Sequence, residues 1–397
     1  MSSATLRARR VGGAGLARVD PLGAVLMVAG AAALLLMPFV LFKSNRIVPG
    51  DPRTLAQVLP AWAALGCVAV LIVAAVVALW VADARVRLVV ALVGLASVAL
   101  AAAAAGDALT PPGDKVVRIA PAGAFWLLTV CLGLLATDAT TRLKPGPGMR
   151  VLFLAAALGA AGLALTHGIF DHLSVMREYA VNSARFAHEA RQHLKLAFGS
   201  LAAAAVVGLP LGVLCHRRPR LRPGILATLN VIETIPAIAL FGILMAPLGA
   251  LAAALPLADR LGIRGIGAAP AVVALFLYSL LPIVANTVAG LKRVSRAAVE
   301  AAHGMGMTDW QVLTKVELIL ALPVILTGVR VVLVQNIGMV TVAALIGGGG
   351  LGAFVFQGIG QTAIDLVLLG AIPIVTLAFS AALVLDSLVE VLDRVKA

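Results

Sequence analysis

The residues best placed to do chemistry in this sequence share one short gap. EAAHGMGMTDW, Glu300 to Trp310, sets two acids, a histidine and two glycines between long apolar runs. An acid followed by two alanines and, further on, a glycine is recognition chemistry rather than bond-breaking chemistry. Ala301 and Ala302 let another backbone approach, Glu300 offers a charge, and Gly306 permits a turn. Two more ionisable residues, Glu233 and Arg330, fall inside apolar runs, where a charge is costly and commonly functional. Each lies roughly 12–14 Å from the start of its helix at the helical rise. At that shared depth they either pair and link two helices at a gate, or each meets backbone or water in a cavity. Gln335 and Asn336, in the middle of a run, either line an aqueous path with Tyr278 and Asn286 or hydrogen-bond between helices. Pro236, like Pro210 and Pro282, removes a backbone donor and is expected to bend its helix.

Covalent chemistry finds no support. No Ser/His/Asp order or Cys/His arrangement is anchored to a recognisable turn, so no catalytic residue is assigned. His167, His172, His188 and His193 lack a carboxylate–histidine spacing that fixes a metal geometry, and they read as surface imidazoles. The run GGGGLG contains Gly347 and Gly350 but lacks the Lys-Ser/Thr ending of a phosphate loop, and no Gly-Lys dipeptide occurs anywhere. It reads instead as a backbone turn near an outer gate, where glycine reaches φ values that other residues avoid. The chain therefore does not bind ATP in the phosphate-loop manner.

The elements that must carry these groups are membrane helices. Of 397 residues, 61% are hydrophobic and 12% charged, and apolar runs long enough to span recur near 22–42, 61–82, 88–105, 119–137, 151–169, 194–215, 225–250, 267–286, 321–345 and 363–387. That pattern predicts about ten transmembrane helices. LRARR followed by the first run imitates a secretion signal, but the run is long enough to span and no small-residue cleavage pattern closes it. The net charge of +13 sits in the gaps between runs, which suits anionic lipid headgroups and topology rather than nucleic acid. With Arg7, Arg9, Arg10, Arg18 and Lys396 inside, most basic residues fall on one side, and the positive-inside rule puts both termini in the cytoplasm. Cys67, Cys131 and Cys215 lie within or at the edges of apolar runs without paired spacing, as buried packing residues do.

The polar stretch after Asp171 divides the chain. Residues 1–170 form a five-helix membrane region with little polar character. Residues 171–193 form an extracytoplasmic, partly helical segment. Residues 194–397 hold every gap with chemical character, including a cytoplasmic loop at 288–320. In that loop Ala297, Ala298, Ala301 and Ala302 lay a smooth strip along a short helix, and Gly304 and Gly306 break it. Thr308 and Gln311 then form a capping-box pattern, with Asp309 in the first turn where the helix dipole favours an acid. The reading is helix, glycine turn, helix.

Glu300-Ala301-Ala302, three residues and Gly306 resemble the EAA-x-x-x-G loop of permease subunits of bacterial ATP-binding-cassette importers. MREYA at 176–180, GLPLGVL at 208–214, ETIPAIALFGIL at 233–244 and IGGGGLG at 346–352 extend the likeness over roughly 175–390. Together they look like permeases for glycine betaine, choline and related osmoprotectants, with the N-terminal helices resembling a longer subtype. The resemblance implies an all-α polytopic membrane protein with a C-terminal five-helix type I importer core, in a bacterial inner membrane. It implies a coupling role for Glu300, Ala301, Ala302, Gly304, Gly306 and Asp309. The implied partners are a cytoplasmic ATPase carrying ATP and Mg, an extracytoplasmic substrate-binding protein, a second permease copy or paralogue, and membrane lipid. No cofactor is implied in this chain. One departure is Ile319, where the family pattern leads one to expect proline; Leu322 and Pro323 supply the Leu-Pro pair a turn later. Two other classes compete: an ion-gradient-driven secondary transporter of small polar solutes, for which Glu233 is the one good mid-membrane acid, and a non-transporting scaffold. With two tyrosines and four tryptophans, none clustered, an aromatic cage for a quaternary amine is expected on the binding protein instead.

Overall fold

The computed structural model describes residues 19–394 apart from 47, 115 and 261. Arg7, Arg9, Arg10, Arg18 and Lys396, which contribute to the charge asymmetry, lie outside the described residues. Among the described residues, nine helices are long and apolar enough to cross a membrane, and a shorter apolar helix precedes them. The chain forms two compact units. One runs to Pro145 and includes His167–Leu173; the other comprises Gly146–Thr166 and everything from Ser174. The fifth apolar run, grouped by sequence with the first four, thus falls in the second unit.

In the first unit α1 (Pro21–Leu36) starts at Asp20, whose carboxylate accepts the Gly23 N–H at 3.0 Å. The sequence extends this helix to residue 42, but it ends six residues earlier, ahead of Pro38. Val40–Lys43 instead forms strand β1, paired antiparallel with β2 (Asp51–Arg53) and β3 (Arg118–Pro121) in the order β2-β1-β3. Between and after these strands come α2 (Leu55–Val58), α3 (Ala61–Trp80), α4 (Ala84–Leu109) and α5 (Gly123–Leu143). Their apolar faces meet at Ala33, Phe39, Ala64, Val98, Ala102 and Leu128.

One charged group is sealed inside this unit. Arg87, 1% exposed, reaches Asp20 at 3.0 Å and Asp138 at 3.1 Å, and Arg142 reaches the same two acids at 2.6 and 2.9 Å. Two arginines and two aspartates from four segments therefore alternate around one point. A buried charge is tolerated when its partners are this close. The Gly23 N–H, then Arg142 and Arg87, hold the Asp20 carboxyl well below the usual carboxylate range.

The second unit begins with α6 (Pro147–Thr166), which packs on the last helix, α16 (Ile364–Arg394). The polar stretch after Asp171 is not a separate surface segment: from Ser174 it is continuous with α7 (Ser174–Arg217), kinked at Asn182. Next come α8 (Arg222–Thr234), α9 (Ala237–Ala254), α10 (Pro256–Arg260) and α11 (Ala268–Arg293). The run at 225–250 is not one bent helix, because Ile235 is extended and Pro236 starts α9 as its cap. The Tyr278 hydroxyl donates to the Ile235 carbonyl and pins that break.

Among the helices of this unit, α11 carries the largest buried face, between α7 and α14 (Leu318–Ala343). In lipid, helices associate through close packing and hydrogen bonds rather than through hydrophobic burial, so small residues decide where backbones meet. Gly208 and Gly212, one turn apart on α7, face α11. A Cβ at Gly208 would lie 2.9 Å from Ile283, and one at Gly212 would lie 2.5 Å from Thr287. Pro323 is buried inside α14, which continues to Ala343, so the Leu-Pro pair does not end a helix.

Candidate functional site

Between α11 and α14 the chain folds as the sequence predicts, helix, turn, helix. Ser295 caps α12 (Arg296–Gly304) by accepting the Ala298 N–H. Gly304 remains helical, and the turn falls on Gly306 at φ 82°. There the Met307 N–H bonds to Ala302 O at 3.1 Å and the Gly306 N–H to His303 O at 2.9 Å, the paired closure that a left-handed residue makes possible at a helix end. Thr308 and Gln311 then close the capping box of α13 (Asp309–Val312), with Asp309 in its first turn. The two alanines divide their work. Ala302 is buried inside the loop, while Ala297, Ala301 and Gly304 share an exposed small-residue face beside Glu300. Met305 and Trp310, 72% and 71% exposed, flank that face with apolar surface.

Gly306→Val is expected to destabilise the turn by about 1–2 kcal/mol, since a β-branched residue resists the left-handed region. Gly306→Asn, which tolerates it, is expected to retain most of the stability. Limited proteolysis of the loop in the purified protein measures both; an Asn variant cleaved as fast as the Val variant would show that φ is not what glycine supplies.

Behind the loop, α13 runs into a π turn, Leu313–Glu317, before α14 begins. Leu313 joins Leu291, Ala321 and Ile325 in an apolar cluster that seats the loop on the helix bundle. Glu317 points inward and accepts a hydrogen bond from Arg217, the last residue of α7, at 2.5 Å. Neither residue stands out in the sequence beyond being charged at a helix end. The local signal that could have found Glu317 is its place among Val316, Leu318 and Ile319, an acid at the threshold of a span.

Within the spans, Glu233 and Arg330 do not pair. Arg330 binds Asp386 on α16, and Glu233 sits half-buried in the last turn of α8, just before the break at Ile235. Equal depth placed them level but did not place them face to face. Asn336 is fully buried at the junction of three helices, donating to Ser200 on α7 at 3.1 Å and to Ser279 on α11 at 3.0 Å. It is an interhelical hydrogen-bond node. Gln335 reaches no further than Met339 on its own helix.

At the far end, Ala344–Ile346 tightens into a 3-10 turn, and Gly347, Gly349 and Gly350 have φ of 77°, 75° and 90° ahead of α15 (Gly352–Gly360). One face of α7 grips this turn. Arg185 reaches Gln357 at 2.6 Å and lies over the Phe354 ring, Glu189 accepts the Gly350 N–H at 2.7 Å, and Gln192 donates to Gly348 O at 3.2 Å. These residues recur at helical spacing. His193, expected at the surface, is instead fully buried, its ring 3.0 Å from Ile337 O; the gripped turn closes over it.

Residues 208–396 match the family described as binding-protein-dependent transport system inner membrane component, and residues 20–176 match the N-terminal domain of ABC transporter permease YehY. The osmoprotectant import permease protein OsmW of Salmonella typhimurium is 43% identical over 204 residues, 51% of this chain and 88% of that protein. This chain belongs to the binding-protein-dependent permease family. The glycine betaine/carnitine/choline permease protein OpuCD of Bacillus subtilis is 38% identical, covering 55% of this chain and 89% of its own length. The choline permease protein OpuBD of the same organism is also 38% identical, covering 56% and 92%. A chain of the MetNI methionine ABC transporter in inward-facing form aligns with 52% of this chain and 95% of its own length, at 24% identity and a TM-score of 0.46.

As a binding-protein-dependent permease, the chain is a membrane-embedded transport subunit of an ATP-binding-cassette importer, with ATP hydrolysis on a separate subunit and solute delivered by a binding protein. The family match at 208–396 spans the α12–α13 loop, the Asn336 node and the Gly350 turn. The gradient-driven alternative falls away.

Proposed function

We propose that this permease translocates glycine betaine or a related quaternary-amine osmoprotectant. The observation that carries the reading is the 43% identity with an osmoprotectant import permease over nearly all of that protein's length. The chain works beside a second permease copy or a paralogue, with the path between them and both termini in the cytoplasm. ATP and Mg reside on the partner ATPase. Its contact is the exposed face of α12, where Ala297, Ala301 and Gly304 admit a close approach and Glu300 supplies the charge. Met305 and Trp310 add the apolar anchors that a small interface needs at its centre. Nucleotide-driven movement of that face changes which helix contacts are favoured, and alternating access follows from the difference in free energy between the two arrangements.

The test is ATP-dependent uptake of labelled glycine betaine into vesicles carrying the chain, its ATPase and its binding protein. Glu300→Ala and Ala301→Arg are each expected to lower uptake about tenfold, the equivalent of one lost anchor at the docking face. Unchanged uptake in both variants would remove α12 as the ATPase contact. Wild-type vesicles that take up no quaternary amine would remove the substrate class.

A further inference from the structure

Glu317 is an acid placed where lipid and protein exclude water, its side chain 5% exposed against 42% for its partner Arg217. A carboxylate at that depth is unfavourable unless it is paired, so the contact ties the end of α7 to the base of α14. Its place on the π turn adds to this. The extra residue in a π turn rotates everything that follows by about 100° relative to a regular helix, and such turns recur at functional positions. Here the turn stands between the docking loop and the bundle, so a displacement of α12 and α13 reaches α14 and Glu317 through one continuous helix. From Arg217 it passes to α7, whose other end holds the Gly350 turn through Glu189.

We propose that Arg217 and Glu317 form a strut that transmits movement of the α12–α13 loop to α7, making Glu317 a positioning residue for transport. The proposal rests on the reading of α12 as the ATPase contact. Coupling between distant sites is carried by rigid elements with discrete arrangements, and α7 is one rigid helix between its kink at Asn182 and Arg217. With the strut broken, the ATPase still docks and turns over, but α7 no longer follows. The consequence is hydrolysis without transport.

The experiment measures betaine uptake and phosphate release together in proteoliposomes holding the full chain, the ATPase and the binding protein. Glu317→Gln and Arg217→Gln are each expected to lower solute moved per ATP about tenfold while phosphate release stays within about twofold. Arg217→Lys, which keeps the charge, is expected to retain most of the wild-type ratio. A purely structural role would lower both activities together with the amount of assembled complex; that result, or an unchanged ratio in the Gln variants, overturns the strut. If wild-type proteoliposomes hydrolyse ATP but move no betaine, the substrate reading fails separately. The strut is then judged by whether binding protein still stimulates hydrolysis in Glu317→Gln: lost stimulation upholds it and retained stimulation overturns it.

Discussion

Arg87→Met is expected to destabilise the first unit by about 3 kcal/mol, because it leaves Asp20 and Asp138 sharing one partly exposed arginine. The loss is local. Cys67 and Cys131 are buried thiols in the first unit and Cys215 is a buried thiol in the second, so a thiol-reactive dye reports the two units separately during heating. The variant should release Cys67 and Cys131 at a lower temperature while Cys215 keeps its wild-type transition. Adding Asp138→Asn to Arg87→Met is expected to recover part of the loss by removing one unpaired charge. Equal shifts at all three thiols would mean that the charged group does not stabilise the first unit in particular.

Gly212→Leu should have a comparable effect on the second unit. The added Cβ alone would stand 2.5 Å from the Thr287 side chain, so α7 and α11 must separate, at about 3 kcal/mol for an overpacked contact. Cys215, one turn on and buried in the cluster that joins α7 to α11, should then react first. Gly199 lies on the same helix with open space where its Cβ would be, and Gly199→Leu is expected to leave the transition unmoved. If both variants behave alike, the two helices are not held at the distance that Gly212 sets.

Much of this architecture was legible because membrane helices advertise themselves by length and composition. The docking loop was legible too, since the Ser-Thr-Gly-Gln chemistry of its caps acts over three or four residues and is written locally. What stayed hidden depends on residues far apart in the chain. Val40–Lys43 is as apolar as the helix before it, and its partners β2 and β3 turn it into a strand. Arg330 announced itself as an intramembrane charge, but its choice of Asp386 over Glu233 is a matter of which helix faces which. Glu317 looked like one more charge at a loop because a regular period of 3.6 residues has no place for the π turn that aims it inward. His193 was assigned to the surface by its polar neighbours, and the Gly350 turn that closes over it comes from the other end of the sequence.

The boundary between the two units also constrains how such a chain can be assembled from parts. Counted from α6, the second unit has six helices long and apolar enough to cross a membrane; counted from α7 it has five. The first unit contributes α1, α3, α4 and α5, again an even number. An even-numbered extension leaves the parity of insertion untouched. It can be gained or shed at Pro145 without inverting anything downstream, whereas a cut at Ser174 would strand a single crossing and turn the α12 face to the wrong compartment.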